Sequence, residues 1–285
     1  MLAWSNFNHS PTRKKIREKW LELLNDNTKK EQDYQSFLRN HAGMFIPSRS
    51  SSFKEQIVLE KIKLGAEYIT DFVSIDGDRS YGFQYTLIEI ESPHDNLFTS
   101  KGTKSAHLVQ SLDQISNWQR WMDNSKSSSL ELFPSWIRNV SNHYRFHYLL
   151  VIGRRNDSTS EKEKLKQIAN QHKIEIRSFD YLTDIFSSRL YNSFTSISTT
   201  GAMIPSTKQN NEFTNPFYAA YSDRKWRKIT KELKPPHYHI VGRNISTILK
   251  YRTYNENRLA EYKKWAMQDG NNDFSPLDED LGNLI

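Results

Sequence analysis

Three acidic residues lie in two neighbouring strand patterns, at a spacing that would bring them together. Asp71 falls within residues 68–75, on the face that also carries three apolar side chains. Glu89 and Glu91 share one face of the next pattern, residues 85–91. The intervening Asp76-Gly77-Asp78 is typical of a hairpin turn. A tight hairpin would place Glu89 and Glu91 beside Asp71, so the sequence predicts three converging carboxylates.

Carboxylates at such a place need a counter-charge. A carboxylate among apolar neighbours is costly to ionise unless it is paired or binds a cation, and like charges held together raise that cost. Oxygen ligands alone favour Mg²⁺, with Mn²⁺ as an alternative. The other interpretation is a solvated face for Glu89 and Glu91 with a salt bridge at Asp71. The apolar neighbours of Asp71 and the hairpin spacing favour the metal site.

A second chemistry that uses two carboxylates is glycoside hydrolysis. Its acid and base must flank the sugar from opposite sides. Glu89 and Glu91 occupy successive positions on one strand face, so both would lie on the same side of a substrate. This arrangement suits a metal ion better than a glycosidase.

The segments GAEYITDF and TLIEIESP resemble the metal-binding core of the PD-(D/E)XK nuclease superfamily. Over about residues 30–186 the chain resembles, more narrowly, the Shedu anti-phage defence nucleases, in the segments EQDYQSFLRNHAGMF, NLFTSKGTKSAHLVQSLDQISNWQRWM, LLVIGRR and IEIRSFDYLTD. The resemblance implies an α/β fold with a PD-(D/E)XK restriction-endonuclease-like core. That core is a mixed sheet flanked by helices, here with helical N-terminal and C-terminal extensions.

The resemblance also implies roles for individual residues. Asp71 and Glu89 would be metal ligands, with Glu91 as a third and Glu31, on the leading helix, as a fourth. Gln114 shares a helix face with Trp118 and would position water or phosphate.

The superfamily pattern has a lysine where this chain has Glu91, and a carboxylate cannot supply positive charge. Three explanations stay open. The metal ions carry more of the catalysis, Lys101 or Lys104 replaces the missing lysine, or the site binds without cutting.

The function implied by the resemblance is a Mg²⁺-dependent endonuclease, with Mn²⁺ possible, that nicks double-stranded DNA in bacterial defence against phage. The resemblance further implies a homo-oligomer, a dimer or a tetramer. The alternatives are a degenerate nuclease fold that binds DNA without cutting it, an RNA-processing nuclease, and an assembly protein whose basic face binds another acidic partner.

Basic residues that could contact DNA phosphates lie in three places. The net charge of +7 is compatible with nucleic acid but does not prove binding. Lys101 and Lys104 follow the third predicted strand, and Arg154 and Arg155 follow a later strand that is predicted to be buried. The third group lies in the region over residues 191–268 and consists of Arg224, Lys225, Arg227 and Lys228. Such side chains contact the backbone without reading sequence.

Composition excludes several classes of protein. The chain of 285 residues has no cysteine, which rules out disulfide frameworks, cysteine-ligated zinc, thiol nucleophiles and iron–sulfur clusters. No apolar run approaches 18 residues, so no membrane span is expected. No signal-peptide pattern opens the chain and no glycine-rich phosphate loop occurs. We therefore expect a cytoplasmic protein without a nucleotide cofactor.

The elements that must position these residues follow from periodicity. Between Lys30 and Phe186 the order is α-β-β-β-α-β-α-β-α, which favours an α/β core with an antiparallel hairpin feeding a mixed sheet. A helix is predicted over 105–122, a polar linker over 125–129, and a helix capped by Asp180. The predicted division is an N-terminal helical segment (1–29), a nuclease-like domain (30–190), a basic, aromatic-rich region (191–268) and an acidic flexible tail (269–285).

Overall fold

The computed structural model describes residues 10–49, 57–78, 82–134, 145–156, 158–189, 195–197, 203–205, 223–232 and 237–252. Within them the helices are α1 (Pro11–Asn25), α2 (Glu31–Phe45), α3 (Ala106–Asn124), α4 (Lys126–Leu132), α5 (Thr159–His172), α6 (Phe179–Ser188), α7 (Asp223–Glu232) and α8 (His237–Tyr251). The strands are β1 (Ile57–Glu60), β2 (Lys63–Leu64), β3 (Tyr68–Ile69), β4 (Phe72–Asp78), β5 (Gly82–Ile90), β6 (Phe146–Val151), β7 (Glu175–Arg177), β8 (Thr195–Ile197) and β9 (Met203–Pro205).

A mixed five-stranded sheet forms the centre of the molecule, with strand order β1-β4-β5-β6-β7. The pairs β1–β4 and β4–β5 are antiparallel, whereas β5–β6 and β6–β7 are parallel. Two parallel neighbours require crossover connections, and helices α3 and α5 lie in those connections. The prediction of an α/β fold with a mixed sheet flanked by helices is therefore confirmed.

The hairpin turn is not at Asp76-Gly77-Asp78, so that prediction is wrong. These three residues continue β4 and pair with Gln84, Phe83 and Gly82. Asp76 is buried inside the sheet, where its carboxylate accepts hydrogen bonds from the hydroxyls of Ser48 and Ser74. Because these hydroxyls satisfy the carboxylate, the aspartate remains in a strand instead of marking a turn.

The segment over residues 68–75, expected to be one strand, is broken at Thr70 and Asp71. Upstream of the break β3 pairs with β2, and downstream β4 pairs with β1 and β5. Lys61, opposite the break, has left-handed backbone with φ of 49°. The amide of Lys61 donates to the carbonyl of Asp71 at 3.0 Å, and the amide of Thr70 donates to the carbonyl of Ile62 at 3.0 Å. Asp71 therefore lies at the N-terminal end of β4, directly before its first residue.

Helix boundaries follow side-chain capping. Ser10 and Ser105 accept hydrogen bonds from backbone amides in the first turns of α1 and α3. The predicted linker over 125–129 is wrong, because these residues are the cap and first turns of α4. The predicted cap role of Asp180 is also wrong. Ser178 precedes α6, and Asp180 instead binds Arg154 and Arg155.

Helix α2 is held over the sheet by an aromatic cluster. Trp20 of α1 packs against Phe37 and Phe45 of α2 and Phe179 of α6, with ring centroids 4.9–6.0 Å apart. The indole of Trp20 also donates to the hydroxyl of Thr183 at 2.8 Å. These contacts fix the first turn of α2 close to the end of β4.

Helices α7 and α8 pack on the β1 side of the sheet. Arg252, just after α8, forms a bridge to Leu59 of β1, and the hydroxyl of Tyr85 donates to Asn244 at 3.2 Å. Trp226 of α7 and Ile248 of α8 are fully buried. In the part of the chain that the structure describes, no helix is long and apolar enough to cross a membrane.

Candidate metal centre

Asp71 is a buried carboxylate at the end of β4, and only 6% of its surface is exposed. Its Oδ2 accepts the backbone N–H of Ile90 in β5 at 2.8 Å. Its Oδ1 accepts Nε2 of Gln35 at 3.0 Å and Nζ of Lys61 at 2.5 Å. Burial raises the pKa of Asp71, and the positive charge of Lys61 opposes that rise.

Gln35 links Asp71 to Glu31 across the first turns of α2. The two helix residues are four apart and so lie on one face, and Nε2 of Gln35 donates to Oε1 of Glu31 at 2.6 Å. Oε1 of Gln35 in turn accepts Nζ of Lys61 at 2.8 Å. One amide thus connects the helix, the end of β4 and Lys61, so the local arrangement depends on all three.

Glu89 lies beside Asp71 on the neighbouring strand. The pairing of Phe72 with Ile88, continued by one step, places Asp71 opposite Glu89. Only 6% of Glu89 is exposed, and within the described structure its Oε2 is buried without a hydrogen-bond partner. An unpartnered buried carboxylate oxygen is uncommon in folded proteins and calls for a ligand or a proton.

Glu91 follows the last residue of β5 and reaches α3. Its Oε1 accepts the hydroxyl of Ser111 at 2.6 Å, which lowers the pKa of Glu91, while burial raises it more. Nearby, Nδ1 of His107 lies 2.9 Å from Oδ1 of Asp95. This contact raises the pKa of His107 and places a potential cation on the first turn of α3.

The acidic groups repel one another. Burial, followed by repulsion from Asp71 and Glu91, raises the pKa of Glu31 to about 7. The pKa of Glu89 rises to about 10, first through burial and then through repulsion from Asp71, Glu91 and Glu31. Such values describe a cluster whose negative charge exceeds its cationic partners, and a bound cation would reverse them.

The donor chemistry fits a hard divalent cation. The potential metal ligands are all carboxylate oxygens, and Oε2 of Glu89, beside Asp71, has no hydrogen-bond partner among the described residues. In the arrangement of the described residues, however, no group of three or more Asp, Glu and His side chains is ready to hold a metal ion. Oδ1 of Asp71 already accepts hydrogen bonds from Lys61 and Gln35.

The family model for the C-terminal region of the Shedu protein SduA matches residues 28–183. This match covers more than half of the chain and includes every member of the acidic cluster. The chain belongs to the Shedu family. Membership of this family indicates a role in anti-phage defence. Neither a curated protein nor a solved structure matches the chain.

Gln114 lies on α3 of this Shedu protein, three residues after Ser111 and so on the same helix face. It is half-buried and stands one turn beyond Ser111, the residue that contacts Glu91. Its side chain makes no hydrogen bond to another described residue. The predicted contact of Gln114 with water or phosphate stays a prediction.

The basic residues differ in how far they are engaged. Lys101 and Lys104 are exposed on the loop before α3, and Arg224, Arg227 and Lys228 are exposed on α7. Arg154 instead forms a forked contact with Asp180, at 2.8–3.1 Å, and donates to the carbonyl of Leu24 at 3.1 Å. Arg155 pairs with Asp184. The side chain of Lys225 lies outside the described residues. Their DNA contacts stay predictions.

Lys61, Gln35 and Ser111 were not found from the sequence. Gln35 could have been recognised from its spacing of four residues after Glu31. Lys61 could not, because it lies between β1 and β2 and reaches Asp71 only through the fold of the chain. Lys61 contacts Oδ1 of Asp71, whereas the sequence suggests Lys101 or Lys104 as the replacement for the lysine missing at Glu91.

Proposed function

We propose that this Shedu protein is a metal-dependent DNA endonuclease with a PD-(D/E)XK-type core, which hydrolyses phosphodiester bonds and nicks double-stranded DNA in anti-phage defence. The observation that carries the proposal is the pair Asp71 and Glu89. Both carboxylates are buried, Asp71 directly before β4 and Glu89 one residue before the end of the adjacent β5. One oxygen of Glu89 has no hydrogen-bond partner among the described residues.

The acidic cluster supports Mg²⁺ as the cofactor, with Mn²⁺ as a substitute. Asp71 and Glu89 would be the ligands held most firmly, with Glu91 and Glu31 completing the set. A divalent ion held by these residues would supply activation of the attacking water and neutralise charge on the phosphate and on the leaving oxygen. The protein's own contribution is orientation. The amide of Ile90 fixes Asp71, and the hydroxyl of Ser111 fixes Glu91.

Gln114 would complete the site from the side of α3. It shares a helix face with Ser111, whose hydroxyl already contacts Glu91. A half-buried amide there can donate to a phosphate oxygen or accept from an attacking water. In either case Gln114 would orient its partner without adding a charge to the site.

Double-stranded DNA is the substrate that the charge distribution favours. The net charge is +7 although the site itself is acidic, so basic side chains lie elsewhere on the surface. Lys101 and Lys104 are exposed on the loop before α3 and could contact phosphates of a bound duplex. The exposed basic residues of α7 offer a second contact region. We also propose a homo-oligomer, a dimer or a tetramer.

Cleavage of supercoiled plasmid tests the proposal. Wild type is compared with Asp71→Asn and Glu89→Gln, and with Glu163→Gln as a matched control on an exposed position of α5. We expect nicking with Mg²⁺ or Mn²⁺ but not with EDTA. Both site variants should lose more than about a hundredfold in rate, because each removes a charged ligand. The control should retain the wild-type rate.

A DNA-binding protein without cleavage is the second candidate. It is favoured by one observation, the carboxylate of Glu91 where the superfamily pattern has a lysine. If wild type binds duplex DNA in every metal and leaves it intact, this candidate replaces the first. Competition between duplex DNA and RNA of the same length distinguishes an RNA-processing nuclease.

A further inference from the structure

Oδ1 of Asp71 is fully engaged without a metal ion. Oδ2 accepts the backbone amide of Ile90 at 2.8 Å. Oδ1 accepts two donors, Gln35 and Lys61, and an sp² carboxylate oxygen has two lone pairs. A divalent cation can therefore bind Oδ1 only if one of these two donors withdraws.

Gln35 is the donor that is held in place. Its surface is only 9% exposed, and its Nε2 donates to Glu31 as well as to Asp71. Turning the amide away would cost both hydrogen bonds and would leave buried polar atoms unsatisfied. Gln35 therefore stays at Oδ1.

Lys61 is the donor that can leave. Its side chain is 42% exposed, against 8% for the side chain of Asp71, so its ammonium can withdraw into water. Repulsion between a divalent cation and the ammonium favours this withdrawal, because both positive charges would otherwise share one oxygen. The backbone contact between Lys61 and Asp71 need not change, since it uses the amide of Lys61 and not its side chain.

We propose that Lys61 and a divalent cation compete for Oδ1 of Asp71, so that Lys61 sets the cation concentration at which this site fills. The inference rests on the proposed function, because it assumes that the acidic cluster binds such a cation. While no cation is bound, the ammonium of Lys61 neutralises the buried carboxylate of Asp71 and orients its Oδ1. The free oxygen of Glu89 beside Asp71 is the second ligand that the incoming cation meets.

Calorimetric titration with Mn²⁺ tests the competition in the full chain. Lys61→Met removes the ammonium and keeps the length of the side chain. Lys61→Asn is the second variant, because asparagine tolerates the left-handed backbone at this position, where φ is 49°. Lys63→Met, two residues away and exposed, is the matched control. Asp71→Asn removes the contested oxygen's charge.

Both Lys61 variants should bind Mn²⁺ about ten- to a hundredfold more tightly than wild type, the range that corresponds to one charge-assisted hydrogen bond. Lys63→Met should match wild type and Asp71→Asn should bind much more weakly. Equal or weaker binding by Lys61→Met and Lys61→Asn overturns the inference, even where wild type cleaves DNA. Tighter binding without any cleavage of DNA overturns the proposed function instead. Absence of Mn²⁺ binding by wild type and all variants overturns both.

Discussion

Lys61 and Asp71 are joined twice, once through the backbone and once through their side chains. The amide of Lys61 donates to the carbonyl of Asp71 at 3.0 Å, and the ammonium of Lys61 lies 2.5 Å from Oδ1 of the same residue. The left-handed backbone of Lys61 makes both contacts possible, because it turns the chain between β1 and β2 toward the end of β4. A basic residue from one segment thereby neutralises a carboxylate that sequence alone assigns to a metal.

Glu89→Gln should stabilise the protein in EDTA at pH 8. The pKa of Glu89 is about 10 in the folded protein, against a usual value of 4.5. Unfolding at pH 8 therefore releases a proton that the folded state holds, which favours unfolding. The contribution of Glu89 to the free energy of unfolding is greatest well below pH 4.5 and is lost as the pH rises towards 10. The neutral glutamine removes this penalty, and urea unfolding should show a gain of about 1–3 kcal/mol.

The gain at position 89 should disappear at low pH. Near pH 3 the carboxyl group is protonated in both states, so Glu89→Gln and wild type should have similar free energies of unfolding. Glu163→Gln, at an exposed position, should match wild type at both pH values. A Glu89→Gln variant that is less stable than wild type at pH 8 would show that the carboxylate has a partner in the folded protein.

Binding of Mn²⁺ should release protons and strengthen as the pH rises. The pKa of Glu31 is about 7 and that of Glu89 about 10, so both carry protons at pH 6 in the absence of metal. Ligation requires the ionised form, and each released proton makes the affinity rise about tenfold per pH unit. Calorimetry between pH 6 and 8, in two buffers of different ionisation enthalpy, counts the protons. An affinity that does not change with pH would contradict this prediction.

Ser111→Ala should move the acid limb of the cleavage profile to higher pH. The hydroxyl of Ser111 donates to Glu91 at 2.6 Å and lowers the pKa of that carboxyl group. Without it Glu91 keeps its proton to higher pH, with a shift of about one unit for a hydrogen bond to a charged group. The control is Ser116→Ala on the same helix, whose hydroxyl donates only to the carbonyl of Leu112. Identical profiles for the two variants would remove Glu91 from the reaction.

Lys101→Ala combined with Lys104→Ala should weaken DNA binding and reduce its dependence on salt. Both lysines are exposed, so their loss should leave the fold unchanged. Two lost phosphate contacts lower the slope of log affinity against log salt by about 2. Duplex binding across a salt series measures the slope, with Lys126→Ala on α4 as control. An unchanged slope would place the DNA contact elsewhere.

Arg154→Ala should reduce stability. Its guanidinium ties the end of β6 to Asp180 of α6 and to the carbonyl of Leu24 at the end of α1. Losing these contacts should lower the free energy of unfolding by about 1–2 kcal/mol. Arg155→Ala is the control, since Arg155 pairs with the exposed Asp184, and it should cost less than about 1 kcal/mol. If Arg154→Ala instead lost DNA affinity and kept its stability, Arg154 would be a phosphate contact and not a structural tie.

The sheet and its helices followed from sequence because their signals are local. The alternation over β5 and the helical periodicity of α3 each depend on neighbouring residues. The break before Asp71 did not follow, because it depends on pairing with Lys61 ten residues earlier. The hairpin turn was misplaced because Asp76 is satisfied by Ser48, a partner distant in the chain.

The acidic residues of the site were also predictable, whereas their partners were not. Asp71 and Glu89 stand out as charges in apolar strands, so alternation alone draws attention to them. Gln35 and Lys61 are ordinary polar residues in segments with no unusual pattern. Their importance arises only when α2 and the β1–β2 connection meet at the end of β4.

The occupancy of the cluster by a cation is the central claim, and anomalous diffraction from a crystal soaked with Mn²⁺ tests it most directly. We expect an anomalous peak within ligand distance of Oδ1 of Asp71 and Oε2 of Glu89, with the ammonium of Lys61 withdrawn from Asp71. A Glu163→Gln crystal should show the same peak, and a Glu89→Gln crystal should lack it. A crystal saturated with Mn²⁺ that shows no peak at the cluster, and Lys61 still on Asp71, would contradict the metal centre and the nuclease proposed from it.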